Sequence, residues 1–326
     1  MRIVLAPTLP DEVVALARAH LPAGCTLVLS DPAHGQAFLE ALRGATVLMG
    51  FVERLSEEAW QAAHELKLIQ LLSAGYDQVD IARTRQAGVL VATNGGANAI
   101  SVAEHTVMLM LAVLRQLPAL DARTRAGQWR GGPMGALKLY ELYGKTVGII
   151  GMGRIGQEVA VRLRPFGVRL LYYDVVALPP EREAQLGASR VTLEDLLRTA
   201  DIVTLHAPLT PQTRHLLNAQ TLALMKPTAI LINTARGELV DEAALVAALR
   251  EGRLRGAGLD VFGQEPAPAS NPLFSLPNVV VTPHVAGPTW DSWPRRFANA
   301  FENVRRLQRG ERPLWVIPEL ADLPTP

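Results

Sequence analysis

A glycine-rich run near the middle of the chain constrains the fold more than any other feature. It reads Gly151-Met152-Gly153-Arg154-Ile155-Gly156 and lies between an apolar run at 146–150 and a second one at 169–173, which Asp174 closes. In a strand–turn–helix unit, such glycines permit a tight turn, close approach to a pyrophosphate and close helix packing. A helix beginning near Arg154 would direct free N–H groups at the phosphates, while Asp174 would bind a ribose diol and repel a 2′-phosphate. The run therefore predicts a dinucleotide site that takes NAD.

Short apolar runs alternate with helical patterns on both sides of this loop, which is typical of parallel βαβ units. The predicted strands before the loop are residues 3–6, 26–29, 46–49, 68–72 and 89–92. Those from the loop onward are residues 146–150, 169–173, 202–205, 229–232, 258–261 and 279–282. We therefore expect an α/β protein with two doubly wound, Rossmann-like domains.

Two helical patterns set the expected domain boundaries. The first runs over 101–117, with Ser101 and Glu104 in capping-box spacing, and leads from the first domain into the second. The other, over 291–309, follows the last strand and is expected to pack back on the first domain. The predicted domains are 1–100 with 288–326, which makes the first domain discontinuous, and 101–287.

Composition excludes several classes of function. The 326 residues are 49% hydrophobic, enough for two cores, and the net charge of +1 is spread along the chain. This pattern predicts neither a nucleic-acid partner nor a membrane partner. Cys25 is the single cysteine and no H-E-x-x-H spacing occurs, so neither a disulfide nor a metal site is expected. The even charge distribution instead favours a small polar ligand. The N-terminal residues lack a signal-peptide pattern, which predicts a cytoplasmic protein.

Three functional side chains follow predicted strands in the second half. They are Arg236, Glu265 and His284, and all three would lie beyond the carboxyl ends of the strands, where open parallel sheets bind ligands. A neutral imidazole suits removal of a hydroxyl proton near pH 7, and a carboxylate beside it would favour its protonated form and orient it. An arginine binds a carboxylate with two parallel donors. The pattern predicts an alcohol or carbonyl oxidation–reduction site with His284 as acid and base.

Several ordered motifs resemble the D-isomer-specific 2-hydroxyacid dehydrogenase family across nearly the whole chain. They are the glycine run, Gly75-Tyr76-Asp77, Ser101-Val102-Ala103-Glu104-His105, Leu205-His206-Ala207-Pro208-Leu209-Thr210, Asn233-Thr234-Ala235-Arg236-Gly237, Leu259-Asp260-Val261-Phe262, Glu265-Pro266 and Thr282-Pro283-His284-Val285-Ala286-Gly287. The resemblance is to glyoxylate/hydroxypyruvate reductases and to phosphoglycerate dehydrogenases. It implies catalysis by Arg236, Glu265 and His284 and a cytoplasmic homodimer. It also implies a flavodoxin-like substrate domain, an NAD-binding Rossmann domain and a cleft between them.

The resemblance also implies binding residues. It places the substrate, a small D-2-hydroxy or 2-oxo acid with glyoxylate or hydroxypyruvate favoured, against Ser73, Ala74, Gly75, Asn98 and Arg236. It places NAD against a larger set, which comprises Thr106, Gly151, Gly153, Arg154, Ile155, Gly156, Asp174, His206, Ala207, Pro208, Thr213, Thr234, Ala235, Asp260, His284 and Gly287.

Some alternatives stay open at this point. Phosphite oxidation is suited to relatives with a lysine in the Ser73–Gly75 turn, and Ala74 argues against it. An NAD(H)-sensing corepressor-like binding protein is a second alternative, although such relatives usually carry added tails. Asp260 could simply cap a strand, and His105, for which no acidic partner is expected, is interpreted as structural.

Two departures from the family pattern are also apparent. Gly95 stands where many members have proline, which puts the shape of the substrate-side loop in doubt. Trp290 and Trp293 are not family-wide features, and they either pack in the interior or shape the pocket.

Overall fold

The computed structural model describes residues 1–129 and 137–326. These residues form two compact units. The first unit comprises 1–98 and 287–326, and the second comprises 99–286.

The described residues contain twelve strands and twelve α-helices. The strands are β1 (Arg2–Ala6), β2 (Thr26–Leu29), β3 (Val47–Gly50), β4 (Leu68–Leu71), β5 (Leu90–Ala92), β6 (Thr146–Ile150), β7 (Arg169–Tyr173), β8 (Ala188–Arg190), β9 (Ile202–Leu205), β10 (Ile230–Asn233), β11 (Gly256–Leu259) and β12 (Val279–Val281). The helices are α1 (Asp11–Ala19), α2 (Gln36–Leu42), α3 (Glu57–Ala62), α4 (Ile81–Gln86), α5 (Ala99–Arg115), α6 (Leu117–Arg125), α7 (Arg154–Leu163), α8 (Pro180–Leu186), α9 (Leu193–Thr199), α10 (Ala219–Leu222), α11 (Glu242–Arg250) and α12 (Ser292–Gln308).

The sheet of the first unit has five parallel strands in the order β2-β1-β3-β4-β5. This is the order of flavodoxin-like doubly wound folds. Every residue of β3 and β4 is buried, as expected for parallel strands covered on both faces. Such strands consist of continuous apolar runs, which is why the sequence pattern predicts them.

Helix α12 belongs to the first unit, although it follows the second unit along the chain. Its buried residues Trp293, Phe297, Phe301 and Val304 recur every three or four positions and therefore share one face. They pack in the same core as the strands of the first unit. Trp293 stacks on Phe297 with ring centroids 5.8 Å apart and meets Phe51 edge to face. Trp293 is therefore a packing residue.

The loop after β5 is shaped by the C-terminal segment. Gly95 has φ +66°, and a Cβ there would lie 2.6 Å from the indole of Trp315. The Thr93 N–H donates to the Trp315 carbonyl (3.1 Å). A proline, whose φ is fixed at about −65°, does not fit this positive φ. Glycine stands here because the backbone turns left-handed beneath the Trp315 ring.

The sheet of the second unit has seven parallel strands in the order β12-β11-β10-β9-β6-β7-β8. The chain enters at β6, moves to one edge through β7 and β8, and returns to β9 on the other side of β6. This is a Rossmann strand order with one further strand, and ligands bind where the order reverses, at the carboxyl ends of β6 and β9. The predicted α/β fold with two Rossmann-like domains is confirmed.

The helix at the start of the second unit differs from the prediction. It begins at Ala99, so Ser101 lies inside the helix and is buried there. The predicted capping box is therefore wrong. The helix ends where Gln116 turns left-handed at φ 52°, and α6 follows directly. The short elements α8, β8 and α9 were not predicted, because each has too few residues to show a period.

No single helix of residues 1–129 and 137–326 is long and apolar enough to cross a bilayer. Only the pair α5 and α6, bent by 62°, meets the length and composition criteria jointly.

Candidate active site

The glycine loop after β6 is packed so closely that two of its glycines leave no space for a side chain. Gly151 has φ +93°, and a Cβ there would lie 2.5 Å from the Ala207 nitrogen. A Cβ on Gly156 would lie 2.2 Å from the Gly151 carbonyl oxygen, so α7 packs directly on the turn. Nothing lies within 4 Å of the Cβ position of Gly153. The loop is therefore open on the side where a pyrophosphate would approach.

The N-terminus of α7 suits an anion. The helix starts at Arg154, and Gly153 at its N-cap supplies no side-chain acceptor. N–H groups in the first turn have no acceptor within the helix, and the helix dipole adds partial positive charge there. Arg154 is exposed and Ile155 is half-buried. The predicted phosphate-binding residues thus form one cradle at the end of β6.

Asp174 lies at the end of β7, beside this cradle. Its Oδ2 accepts a hydrogen bond from the Met152 N–H (2.7 Å), and its Oδ1 accepts one from the Val176 N–H (3.0 Å). Each carboxylate oxygen keeps a second acceptor position, so the carboxylate can still bind a ribose diol. The Arg190 guanidinium donates to the Asp174 carbonyl (2.9 Å), so this residue is held through side chain and backbone.

The loop after β9 forms the opposite wall. The Thr213 hydroxyl donates to the Pro208 carbonyl (2.7 Å) and accepts from the Thr210 N–H (2.7 Å). His206 Nε2 contacts Thr204 Oγ1 (2.9 Å), and burial lowers the pKa of His206 to about 3. Its Nδ1 is a buried atom without a partner among the described residues. This wall is therefore rigid and uncharged, which suits an adenosine.

Asn233 shapes the turn after β10. Its Oδ1 accepts from the Ala235 N–H (3.0 Å), and its Nδ2 donates to the Arg236 carbonyl (2.8 Å). On the same turn, Thr234 Oγ1 lies 2.9 Å from Thr106 Oγ1, which donates to a helix carbonyl and therefore accepts from Thr234. Asn233 is a functional residue that the motifs do not single out, although an asparagine that ends a strand is a known turn signal.

These residues fit a bound dinucleotide. The open cradle at Gly153, the exposed helix N-terminus, the Asp174 carboxylate and the unpartnered His206 nitrogen border the point where the strand order reverses. The individual contacts assigned to NAD stay predictions.

Two glycine variants separate folding from cofactor binding. Gly153→Ala is expected to leave the free energy of unfolding nearly unchanged but to weaken NADH binding by about tenfold or more, because the methyl group occupies space that the pyrophosphate needs. Gly156→Ala is expected to destabilise the protein by about 1–3 kcal/mol, because its Cβ collides with the Gly151 carbonyl. Urea unfolding and NADH fluorescence titration measure the two effects. Tight NADH binding by the Gly153 variant would contradict this placement.

Arg236 and Glu265 are carried by two loops in direct contact. A Cβ on Gly237 would lie 1.9 Å from the carbonyl carbon of Phe262, so the loop after β10 touches the loop after β11. The Arg236 Nη1 donates to the Ala235 carbonyl (2.7 Å). The close approach brings two of the three predicted catalytic residues to adjacent loops.

Glu265 and His284 form a short hydrogen-bonded pair. Glu265 Oε2 lies 2.6 Å from His284 Nδ1, and Glu265 Oε1 accepts from the Phe262 N–H (2.9 Å). Burial raises the pKa of Glu265, but the hydrogen bonds from His284 and Phe262 and the charges of His284 and Arg236 bring its pKa below the ordinary value. Glu265 is therefore ionised at neutral pH. Because the Glu265 carboxylate is hydrogen-bonded to Nδ1 of His284, the other ring nitrogen, Nε2, is left for proton transfer.

The buried Asp260 carboxylate holds the segment that carries His284. It accepts hydrogen bonds from Thr282 Oγ1 (2.6 Å), the Val285 N–H (2.9 Å) and the Ala286 N–H (2.9 Å). The Asp260 carbonyl also accepts from the His284 N–H (2.7 Å). His284 has φ +54°, which costs about 1–3 kcal/mol for a residue with a Cβ. These hydrogen bonds stabilise that conformation and so direct the imidazole.

His105 extends this network. Its Nε2 lies 2.9 Å from Thr282 Oγ1 and 3.6 Å from Asp260 Oδ1. The single proton of the Thr282 hydroxyl goes to the carboxylate, so Thr282 accepts from His105 Nε2–H. Burial lowers the pKa of His105, although the charge of Asp260 opposes this. The expectation that His105 lacks an acidic partner is therefore wrong, because Asp260 lies beside it. Asp260 is 155 positions away along the chain, and the sequence around His105 does not show which distant residues pack against it.

A pocket of about 580 Å³ borders the Glu265–His284 pair in the second unit. Its walls combine Glu265 and His284 with the apolar side chains of Phe262, Phe274 and Val281. Apolar walls lower the local dielectric constant and so strengthen the hydrogen bond between the two side chains.

The other residues predicted to bind the substrate, which are Ser73, Ala74, Gly75 and Asn98, follow β4 and β5 in the first unit. The Ser73 hydroxyl donates to the Gly75 carbonyl (2.8 Å), and the Ser73 carbonyl accepts from the Asn94 N–H (3.0 Å). Asn98 Oδ1 accepts from Asn94 Nδ2 (3.0 Å). The turn with Ala74 is thus tied to the loop that carries Asn98.

Trp290 is 60% exposed, so it does not pack in the interior.

Comparison with known proteins gives a consistent result. Residues 107–286 match the family described as D-isomer specific 2-hydroxyacid dehydrogenase, NAD binding domain. The chain is 39% identical over 285 residues to a glyoxylate reductase of Korarchaeum cryptofilum, a match that covers 86% of this chain and 85% of that one. It is 40% identical to a D-3-phosphoglycerate dehydrogenase of Methanocaldococcus jannaschii over 85% of this chain, which spans about half of that relative (52%).

A solved structure gives the same result at the level of the fold. The TT0316 protein from Thermus thermophilus superimposes with a TM-score of 0.84 at 38% identity, covering 97% of this chain and 100% of that one. The match extends over both units. The chain therefore belongs to the D-isomer specific 2-hydroxyacid dehydrogenase family and is an NAD-dependent oxidoreductase.

Proposed function

We propose that the protein reduces small 2-oxo acids to D-2-hydroxy acids with NADH, with glyoxylate and hydroxypyruvate as the favoured substrates. The observation that carries the proposal is the 2.6 Å pair of Glu265 and His284 beside the dinucleotide sheet. It provides a proton donor where a carbonyl would be reduced. The glyoxylate reductase among the relatives supports the choice of substrate.

The chain's own residues supply proton transfer and orientation. When bound, NADH supplies the hydride that adds to the carbonyl carbon. Protonated His284 donates its Nε2 proton to the carbonyl oxygen, which becomes the new hydroxyl group. The ionised Glu265 stabilises the protonated imidazole before transfer. Arg236 binds the substrate carboxylate and polarises the carbonyl. Oxidation of the hydroxy acid uses the same groups in reverse.

A panel of 2-oxo acids tests the substrate class. NADH consumption is measured with glyoxylate, hydroxypyruvate, pyruvate and larger 2-oxo acids, and NAD reduction is measured with phosphite. We expect the highest kcat/KM with glyoxylate or hydroxypyruvate and none with phosphite. Tight NADH binding without turnover of any acid would instead favour a nucleotide-sensing protein.

The hydroxyl of Thr282 is expected to contribute to turnover by holding the His284 segment. Thr282→Val keeps the shape but leaves His105 without an acceptor and Asp260 with one donor fewer. Such a loss costs about 1–3 kcal/mol, so kcat should fall by about tenfold or more while NADH affinity is kept. Thr282→Ser, which retains the hydroxyl, serves as the control. A Ser variant as slow as the Val variant would show that packing, and not the hydrogen bond, matters.

We also propose a homodimer. The second unit exposes several large apolar side chains on α5, α6 and the segments that follow, which are Met108, Leu117, Trp129 and Tyr143. Large exposed apolar patches mark protein interfaces, and the family resemblance favours a homodimer. Sedimentation velocity should show a species of twice the 35.3 kDa chain mass, and a concentration-independent monomer would contradict the proposal.

A further inference from the structure

Arg296 is a buried cation that has no anionic partner among the described residues. Its side chain is 2% exposed, although it lies on α12 beside the core of the first unit. No carboxylate of residues 1–129 and 137–326 lies within the 4.0 Å of an ion pair. Burial, together with the charge of Arg295, lowers the pKa of Arg296 to about 10. A charge buried in this way destabilises a protein unless an anion compensates it.

The described groups that accept hydrogen bonds from the guanidinium or lie over it as rings are neutral. Its Nη1 donates to the Leu72 carbonyl, and its Nε donates to Ser292 Oγ (3.2 Å). The rings of Trp293 and Phe51 lie 5.3 Å and 5.9 Å from it. These cation–π contacts and neutral acceptors orient the group. They do not neutralise its charge.

Two side-chain donors, one from Arg296 and one from Asn98, lie close to the same point beside Gly287. Arg296 Nη2 and Asn98 Nδ2 lie 3.1 Å and 3.3 Å from the point where a Gly287 Cβ would stand. Neither nitrogen donates to a described atom. Both side chains are more than nine-tenths buried. Each donor is therefore a buried polar group that lacks an acceptor among the described residues.

The donors lie at the carboxyl edge of the sheet in the first unit. Leu72, which accepts from Arg296, directly follows β4 and leads into the Ser73–Gly75 turn. Asn98 follows β5 and is tied to the same turn through Asn94. Ligands of open parallel sheets bind at this edge. The unpaired cation is thus next to the turn predicted to hold the substrate carboxylate.

We infer that Arg296, with the Asn98 amide, binds the carboxylate of the 2-oxo acid. The inference rests on the proposed function and adds a residue that the sequence motifs do not assign. A carboxylate accepts from a guanidinium and an amide together through its two oxygens. It also compensates the buried charge, which explains why the free protein holds a cation among neutral groups.

Arg296→Met tests this role, because methionine keeps the apolar stem and removes the charge. We expect KM for glyoxylate and hydroxypyruvate to rise by about ten- to a hundredfold while NADH affinity is kept. The melting temperature should stay the same or rise, since an unpaired buried charge is removed. Arg305→Met, on the same helix but paired with Glu302, is the control and should leave KM unchanged.

A purely structural role predicts the opposite pattern, with a lower melting temperature and an unchanged KM, and this result would overturn the inference. If the Met variant does not fold, Arg296→Lys carries the test. It keeps the charge but not the forked donors, so its KM should lie above that of the wild type, and an equal KM would contradict the inference.

Oxamate binding separates this inference from the proposed function. Oxamate, a carboxylate analogue of these acids, should raise the melting temperature of the NADH-bound wild type by much more than that of the Arg296→Met variant, in which Arg236 is retained. If the wild type turns over no 2-oxo acid, the proposed function fails, and the oxamate shift alone decides whether Arg296 binds carboxylates. Equal shifts in both proteins would overturn the inference.

Discussion

Replacing His284 with Gln is expected to lower kcat for 2-oxo acid reduction by about 10²- to 10⁴-fold, the usual contribution of a positioned general acid. A glutamine amide can still donate a hydrogen bond to Glu265, but it cannot give up a proton to the carbonyl oxygen. NADH affinity should be essentially unchanged, because the glycine loop and Asp174 are untouched. Steady-state kinetics and NADH fluorescence titration measure the two quantities separately.

The control for this variant addresses the backbone at position 284. His284 has φ +54°, a conformation that asparagine tolerates better than glutamine. His284→Asn should therefore fold at least as well as the Gln variant and be equally slow. Turnover near the wild-type rate in either folded variant would remove His284 from the proposed mechanism.

Replacing Glu265 with Gln is expected to lower kcat of reduction near neutral pH by about tenfold or more, because the variant loses the charged acceptor that lies 2.6 Å from His284 Nδ1. The pKa of Glu265 is lowered from its ordinary value by its hydrogen bonds and by the charges of His284 and Arg236, so the wild type keeps this charge into the acid range and loses it only as the carboxylate is protonated. The ratio of wild-type kcat to variant kcat should therefore be constant near neutral pH and should fall in acid.

The pH profile of kcat with hydroxypyruvate checks this prediction. Glu242→Gln is the matched control, because the Glu242 carboxylate accepts from the Gly263 N–H (3.0 Å) in the same loop and has no contact with His284. Its profile should follow that of the wild type. A ratio of wild-type kcat to Glu265-variant kcat that stays constant into the acid range would show that Glu265 acts through loop structure alone.

The parts of the fold that could be predicted are those with a local sequence signal. Parallel strands buried on both faces are continuous apolar runs, so β1, β6 and β7 were found within one residue. The glycine loop follows from backbone geometry that only glycine satisfies at positions 151 and 156. The catalytic candidates were found because the carboxyl ends of parallel strands share one edge. The family match confirms the enzyme class and the cofactor.

The parts that were missed depend on contacts between distant segments. In the sequence, Arg296 resembles any charged residue on the surface of a helix. Its burial follows only from the packing of α12 in the first unit. The pairing of His105 with Thr282 joins residues 177 positions apart. The need for glycine at position 95 follows from its contact with the ring of Trp315, which lies more than two hundred residues later in the chain. Sequence periodicity reports which face of an element is buried, but not which partner covers it.

The stereochemistry of the product tests the central claim most directly. The purified protein is incubated with NADH and hydroxypyruvate, and the glycerate formed is resolved by chiral chromatography. The proposed mechanism predicts that one D-glycerate forms for each NADH consumed. Formation of L-glycerate, or the absence of any glycerate from a protein that binds NADH, would contradict it.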